Sequence, residues 1–170
     1  AMRRAGCAGI NFGADSGDPA MLARLSRGFA PDDIVNATRW SRECGMAVML
    51  DLLLGAPGET RESLTRTVEL VKQAAPDRAG VSVGVRVYPG TALARQAPAA
   101  DGHPAFYLEP AVEPFVFQLL DELIGDDERF LFFDPSRPGK NYNYNANRRL
   151  SDAIHQGFRG AYWDILRRIQ

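Results

Sequence analysis

Two carboxylates, Asp15 and Asp51, interrupt the apolar segments GINFGAD (9–15) and MAVMLDLLL (46–54) of a 170-residue chain. An ionised carboxylate offers several acceptor sites and no donor, so such a pair suits ligand binding or acid and base chemistry. A third segment, Gly80 to Tyr88, alternates cleanly, with Val81, Val83, Val85 and Val87 on one face and Ser82, Gly84, Arg86 and Tyr88 on the other. The same parity puts Asn11, Gly13 and Asp15 on one face of the first segment, and Met49, Asp51 and Leu53 on one face of the second. An interior offering Asn11, Asp15, Asp51, Ser82 and Arg86 is too polar for a packed core, because burying unpaired charge costs several kcal/mol. Either Asp51 and Arg86 form a buried structural pair, or these residues line a ligand-filled cavity at the C-terminal ends of parallel strands.

The elements that must position them follow from punctuation. Asp18-Pro19 is an N-cap followed by a first-turn proline, predicting a helix through Met21, Leu22 and Leu25 to Arg27. A second helix starts at Pro31-Asp32-Asp33, carries Ile34, Val35, Thr38 and Trp40 at helical spacing, and stops at Gly45. Gly55 to Gly58 breaks the chain after the second strand, and Thr60 caps a helix carrying Leu64, Val68 and Val71 to Ala75. This alternation is the pattern of βαβ units around a parallel sheet. From Pro98 the composition changes. There the predicted elements are a helix over Glu113–Ile124, a short strand at Arg129–Phe133, a loop at 134–147 and a terminal helix over Leu150–Ile169. Ala1 precedes Met2, and the predicted organisation is a β/α region at 2–97 with an extension at 98–170.

Composition narrows the function classes. A net charge of −1 and 24% charged residues argue against a nucleic-acid binder or a membrane-surface protein. No apolar run approaches the ~18 residues needed to span a bilayer, and a cytoplasmic location is expected. Cys7 and Cys44 are too far apart for a CxxC motif and are expected to act as small buried hydrophobes; His103 and His155 are equally isolated, so no protein-held metal is expected. The turn Gly55-Ala56-Pro57-Gly58-Glu59-Thr60 lacks the Gly-Lys-Ser/Thr of a triphosphate cradle.

Three segments in order, GADSGD (13–18), DLLLGAPGET (51–60) and VRVYPGT (85–91), resemble the second half of the radical S-adenosylmethionine (SAM) domain, in the branch often carrying a cobalamin-binding domain upstream. The resemblance covers about residues 3–95 and implies a half TIM-like β/α barrel, units four to six, with a C-terminal helical and irregular extension. It also implies a SAM site. Asp15 and Ser16 would face SAM, and Arg27 would pair with its carboxylate, which a guanidinium can hold bidentately. Asp51 would accept hydrogen bonds from both ribose hydroxyls. Leu53, Leu54 and Gly55 would form the apolar wall of the adenine, and 87–89 would offer backbone to its edge, with Asn11, Arg86 and Tyr88 completing the lining. Glu59 reads as structural.

The chain departs from the family at its chemistry. The family holds a four-iron, four-sulfur cluster on three cysteines of a CxxxCxxC loop, and this sequence has no such loop. The expectation is a part of a larger oxidoreductase or transferase that uses SAM, a cluster and, in this branch, cobalamin, inactive by itself. Its partners would be the cofactor, the missing N-terminal half of the barrel and, through the unpaired sheet edge, a second copy. The alternatives are a non-catalytic module that keeps a vestigial nucleoside pocket, and an unrelated lyase using Asp15 and Asp51 with a raised pKa on one.

Overall fold

A computed structural model describes residues 1–96, 105–132 and 148–169. Strands β1 (Gly9–Asp15), β2 (Ala47–Leu54) and β3 (Arg78–Val83) pair in parallel, and a short strand, β6 (Phe130–Phe132), adds beside β3. Between β1 and β2 run helices α1 (Pro19–Arg24) and α2 (Pro31–Glu43), and α3 (Arg61–Ala74) joins β2 to β3. Helix starts are fixed where the sequence places them. Asp18 accepts the Met21 N–H at 2.9 Å, and Thr60 accepts that of Ser63 at 3.2 Å. Gly45, at φ +74°, lets the chain leave α2 directly for β2.

The core lies on one face of the sheet. Ala14 of β1, Val48, Leu50, Leu52 and Leu54 of β2, and Ala79 and Val81 of β3 pack against Ile34 of α2, Leu64, Val68 and Val71 of α3, and Leu119 and Leu120 of α5 (Val116–Ile124). Strand parity then turns Asn11, Asp51 and Ser82 to the opposite, inner face, as alternation requires. The expected α/β arrangement of parallel β/α units is therefore present, with α2, α3 and α5 on one side of the sheet.

Four boundaries differ from the sequence reading. The segment from Gly80 to Tyr88 is not one strand: Gly84 takes φ +86°, and β4 (Val85–Val87) leaves the sheet to pair antiparallel with β5 (Ala105–Tyr107). Valine alternation runs through the break because Val85 and Val87 are still buried, Val85 now against Met21 and Ala56. The terminal segment is two helices, α6 (Arg148–His155) and α7 (Tyr162–Arg168), separated by Gly157 and Gly160 at positive φ. The remaining short helix, α4 (Ala92–Gln96), follows β4. Helix α1 stops at Arg24 rather than Arg27, and α5 starts at Val116 rather than Glu113. The expected loop over 134–147 lies outside the described residues.

Two side chains expected inside are outside. Trp40 is 57% exposed, with Arg39 stacked 5.9 Å from its ring centre, because the buried stripe of α2 is Ile34, Thr38 and Ser41. Cys44 is exposed at the end of α2, and Cys7 is half-buried, its thiol 3.3 Å from the Gly9 carbonyl.

Candidate functional site

Asp51 occupies the inner face at the middle of the sheet, opposite Gly13 of β1 and Gly80 of β3. Asn11 donates Nδ2–H to Asp51 Oδ2 at 2.8 Å. Burial pushes the Asp51 carboxyl above its ordinary value; the Asn11 bond works against this, and the charge of Asp15 adds to it. Asp15 and Asp51 are thus within electrostatic reach of each other.

Asp15 ends β1 after a register shift at Gly13 and has φ +59°, a left-handed conformation unusual for a residue with a side chain. Its Oδ2 lies in charge contact with Arg27 Nε, without an aligned N–H···O bond. The Arg27 side chain is 44% exposed, and the Asp15 contact engages Nε rather than the two terminal nitrogens of the fork. Ser16 is fully buried. Its hydroxyl is shared with Thr67 Oγ1 at 3.1 Å and accepts the Asp18 N–H at 3.1 Å, so it ties the β1 exit to α3.

The turn after β2 is braced from two sides. Glu59 is buried and accepts the Gly55 N–H at 3.0 Å and the Ser63 hydroxyl, which bears out its structural reading. Burial raises its pKa, with these bonds opposing. Glu109, a residue that sequence reasoning missed, accepts the Gly58 N–H at 2.7 Å and the Tyr107 hydroxyl at 3.0 Å, and its own N–H donates to the Gly55 carbonyl at 2.8 Å. Those bonds, the Gly58 N–H foremost, hold its carboxyl below the usual range. Nothing local signals such a role, since Glu109 stands 51 residues from Gly58. Gly55 has φ +81°, and a Cβ there would overlap Leu108, so the turn requires glycine on both counts.

Leu53 packs with Met21, Ala56 and Val85 beside this turn. Arg86 and Tyr88 follow the ribbon out of the main sheet and are exposed, Arg86 opposite Phe106. Among the described residues no ion pair joins Asp51 to Arg86, so the structural-pair reading is overturned: the departure of β4 at Gly84 takes Arg86 off the sheet that carries Asp51. Clefts of about 370 and 380 Å³ open elsewhere, one lined by Arg3, Arg42 and Asp77 and one by Gly17, Pro31 and Arg66.

Among the described residues no group of three or more His, Cys, Asp or Glu is placed to hold a metal ion, and the two cysteines of the whole sequence are 7 and 44. No helix among the described residues is long and apolar enough to cross a membrane.

Parallel β/α units with a carboxylate on the inner face fit part of a β/α barrel, a fold in which sites form at the strand ends. Known proteins show the same arrangement. A radical SAM methyltransferase, TsrM of Kitasatospora setae solved with tryptophan and a SAM analogue, superimposes with a TM-score of 0.84 at 22% identity, over 99% of this chain and 41% of that one. The same enzyme has been solved with cobalamin and a [4Fe-4S] cluster. An uncharacterised methyltransferase of Pyrococcus horikoshii is 30% identical over 93 residues, 55% of this chain and 20% of that protein. A tryptophan 2-C-methyltransferase of Streptomyces laurentii is 35% identical over 97 residues, 54% of this chain and 16% of that protein. No family model matches. The chain resembles the C-terminal half of the radical SAM domain in its cobalamin-associated branch, and it spans a fifth or less of these two curated relatives.

Proposed function

We propose that this chain supplies the nucleoside-binding strands of a radical SAM enzyme of the methyltransferase type. The observation that carries the reading is Asp51: a carboxylate on the inner face with one oxygen held by Asn11 at 2.8 Å, leaving acceptor capacity for a vicinal diol. Both curated relatives are described as methyltransferases, which favours a transferase over an oxidoreductase.

In this reading Asp51 accepts from the ribose hydroxyls. The braced turn at Gly55–Gly58 and Leu53 form the apolar wall for the base, and the terminal nitrogens of Arg27 take the amino-acid carboxylate while Nε remains against Asp15. Ser16 acts from behind, holding β1 against α3. Arg86 and Tyr88, on the ribbon, line the rim. When bound, SAM supplies the methyl or 5′-deoxyadenosyl group. The cluster that would cleave it does not fit the residues of this chain, so reductive cleavage is assigned to a partner segment, and the isolated chain is expected to bind without reacting. The division into 2–97 and 98–170, and association through the open edge of β1, belong to the same proposal.

The test compares ligands that differ at single hydroxyls. Adenosine should bind the chain, and 2′-deoxyadenosine and 3′-deoxyadenosine should each bind several-fold more weakly, since one good hydrogen bond to a charged acceptor contributes about 1.5–3 kcal/mol. Equal affinity for all three would remove Asp51 from the ribose.

A further inference from the structure

The inner face of the sheet is filled at one end and open at the other, and the filling comes from the end of the chain. A Cβ built on Gly9, at the start of β1, would stand 2.6 Å from Trp163 Cη2 of α7 and 3.0 Å from the Ala47 carbonyl oxygen. Trp163 is only 5% exposed and packs with Ala47 and Met49 of β2, with Leu131 of β6 and Tyr162 against the same cluster. One level higher, a Cβ on Gly80 would lie 2.8 Å from Asp51 Oδ1, 2.5 Å from Met49 Cε and 3.7 Å from the Tyr162 hydroxyl. At Gly13, opposite Asp51 in the register, a Cβ would meet nothing within 4 Å. Asp51 therefore sits at the boundary, with an aromatic layer below and open space above.

We propose that α7 is the floor of the Asp51 site: Trp163 sets its depth, and Tyr162, over the bare Cα of Gly80, is a positioning residue that shields the inner side of the Asp51 carboxylate and directs its free acceptor sites towards the strand ends. This deepens the nucleoside reading, on which it rests, by restricting the ligand class. A hydroxyl pair can approach Asp51 only from above, and no group longer than the diol can extend past it into the sheet. The floor also accounts for a carboxylate desolvated on an otherwise open face: water is excluded from one side by Met49 and by the Tyr162 side chain, whose hydroxyl reaches within 3.7 Å of the place a Gly80 Cβ would take. Among the described residues, the titratable and charged groups around Asp51 are Asp15 on β1, itself against Arg27, Tyr162 on α7, and the buried Arg78, which precedes Gly80 by two residues on the same face of β3; Asn11, Met49 and Gly80 are neutral.

The test reads the Asp51 carboxyl directly, by its ¹³C chemical shift through a pH titration of the full chain, and needs no ligand. Removing the side chain with Tyr162→Ala should admit water and lower the Asp51 midpoint by about half a pH unit or more, whereas Tyr162→Phe, which loses only the hydroxyl, should lower it by less. Gly80→Ala provides a second route should Tyr162→Ala not fold: its Cβ displaces the carboxylate upward into solvent and should lower the midpoint in the same direction. A folded Tyr162→Ala or Gly80→Ala protein with the wild-type midpoint overturns the floor. A lowered midpoint in the variants, together with a wild-type protein that binds no nucleoside, would keep the floor and overturn the nucleoside reading, so the two fail separately.

Discussion

Asn11 Nδ2 and Asp51 Oδ2 meet at 2.8 Å across 40 residues of sequence, a bond made possible because β1 and β2 are adjacent parallel strands whose odd-numbered residues share the inner face. The amide orients one carboxylate oxygen and leaves the other towards Gly80. A carboxylate held this way on a sheet is a costly feature for folding alone, which gives the first prediction.

Burial raises the Asp51 pKa in the folded protein, so the folded state holds the proton more tightly than the unfolded chain does. The stabilisation from this group is complete below the unfolded carboxylate range and is lost as pH rises through the folded value. Asp51→Asn removes that loss and can still accept from Asn11. It should be more stable than wild type at pH 7 by up to about 1 kcal/mol, roughly 2–4 °C, with the difference vanishing below about pH 4. Melting curves at the two pH values check this.

The turn at Gly55–Gly58 depends on two acids in different surroundings. Glu59→Ala strands the buried Gly55 N–H and should cost about 2–3 kcal/mol. Glu109→Ala, at a half-buried position where water can replace the lost partner, should cost about 1 kcal/mol. Urea denaturation of the two variants should rank them in that order.

The two tryptophans should behave oppositely. Trp163→Ala opens a cavity beneath the sheet and should cost about 3–5 kcal/mol, whereas Trp40→Ala, at a 57% exposed position, should change stability by no more than about 0.5 kcal/mol. Chemical unfolding followed by circular dichroism measures both.

Asp18 contributes to acid stability. Burial alone would raise its pKa, but the Met21 N–H and Arg66, 2.7 Å away, outweigh burial and lower it. That stability is present above the unfolded carboxylate range and is lost as pH falls through the lowered value. Asp18→Ala should cost about 1 kcal/mol at pH 7 through the lost cap, and the deficit relative to wild type should shrink below about pH 4. Melting temperatures across that range provide the check.

Much of this arrangement was legible where the determinants are local. The bounds of β1, the caps at Asp18 and Thr60, and the face shared by Asn11 and Asp51 follow from period-2 alternation and side-chain capping within a few residues, whereas the register shift after Gly13 takes Asp15 out of that alternation. Legibility ended where tertiary context decides. The valines at 81–87 keep strand periodicity through Gly84, whose left-handed φ redirects the chain, and Arg86 leaves the sheet with it. The helical spacing of Ile154, Tyr162 and Ile165 continues across Gly157 and Gly160, so a break that turns Trp163 under the sheet looks like one helix. Glu109 reaches its turn from 51 residues away, and no sequence period marks such a contact.

The most direct test of the central claim is a calorimetric titration of the chain with S-adenosylmethionine, repeated with Asp51→Ala. The account predicts binding in roughly the high-micromolar to millimolar range, because only part of the ligand's contacts are present, and a loss of about tenfold or more with Asp51→Ala. Unchanged affinity in Asp51→Ala, or no heat with wild type at millimolar ligand, would contradict it.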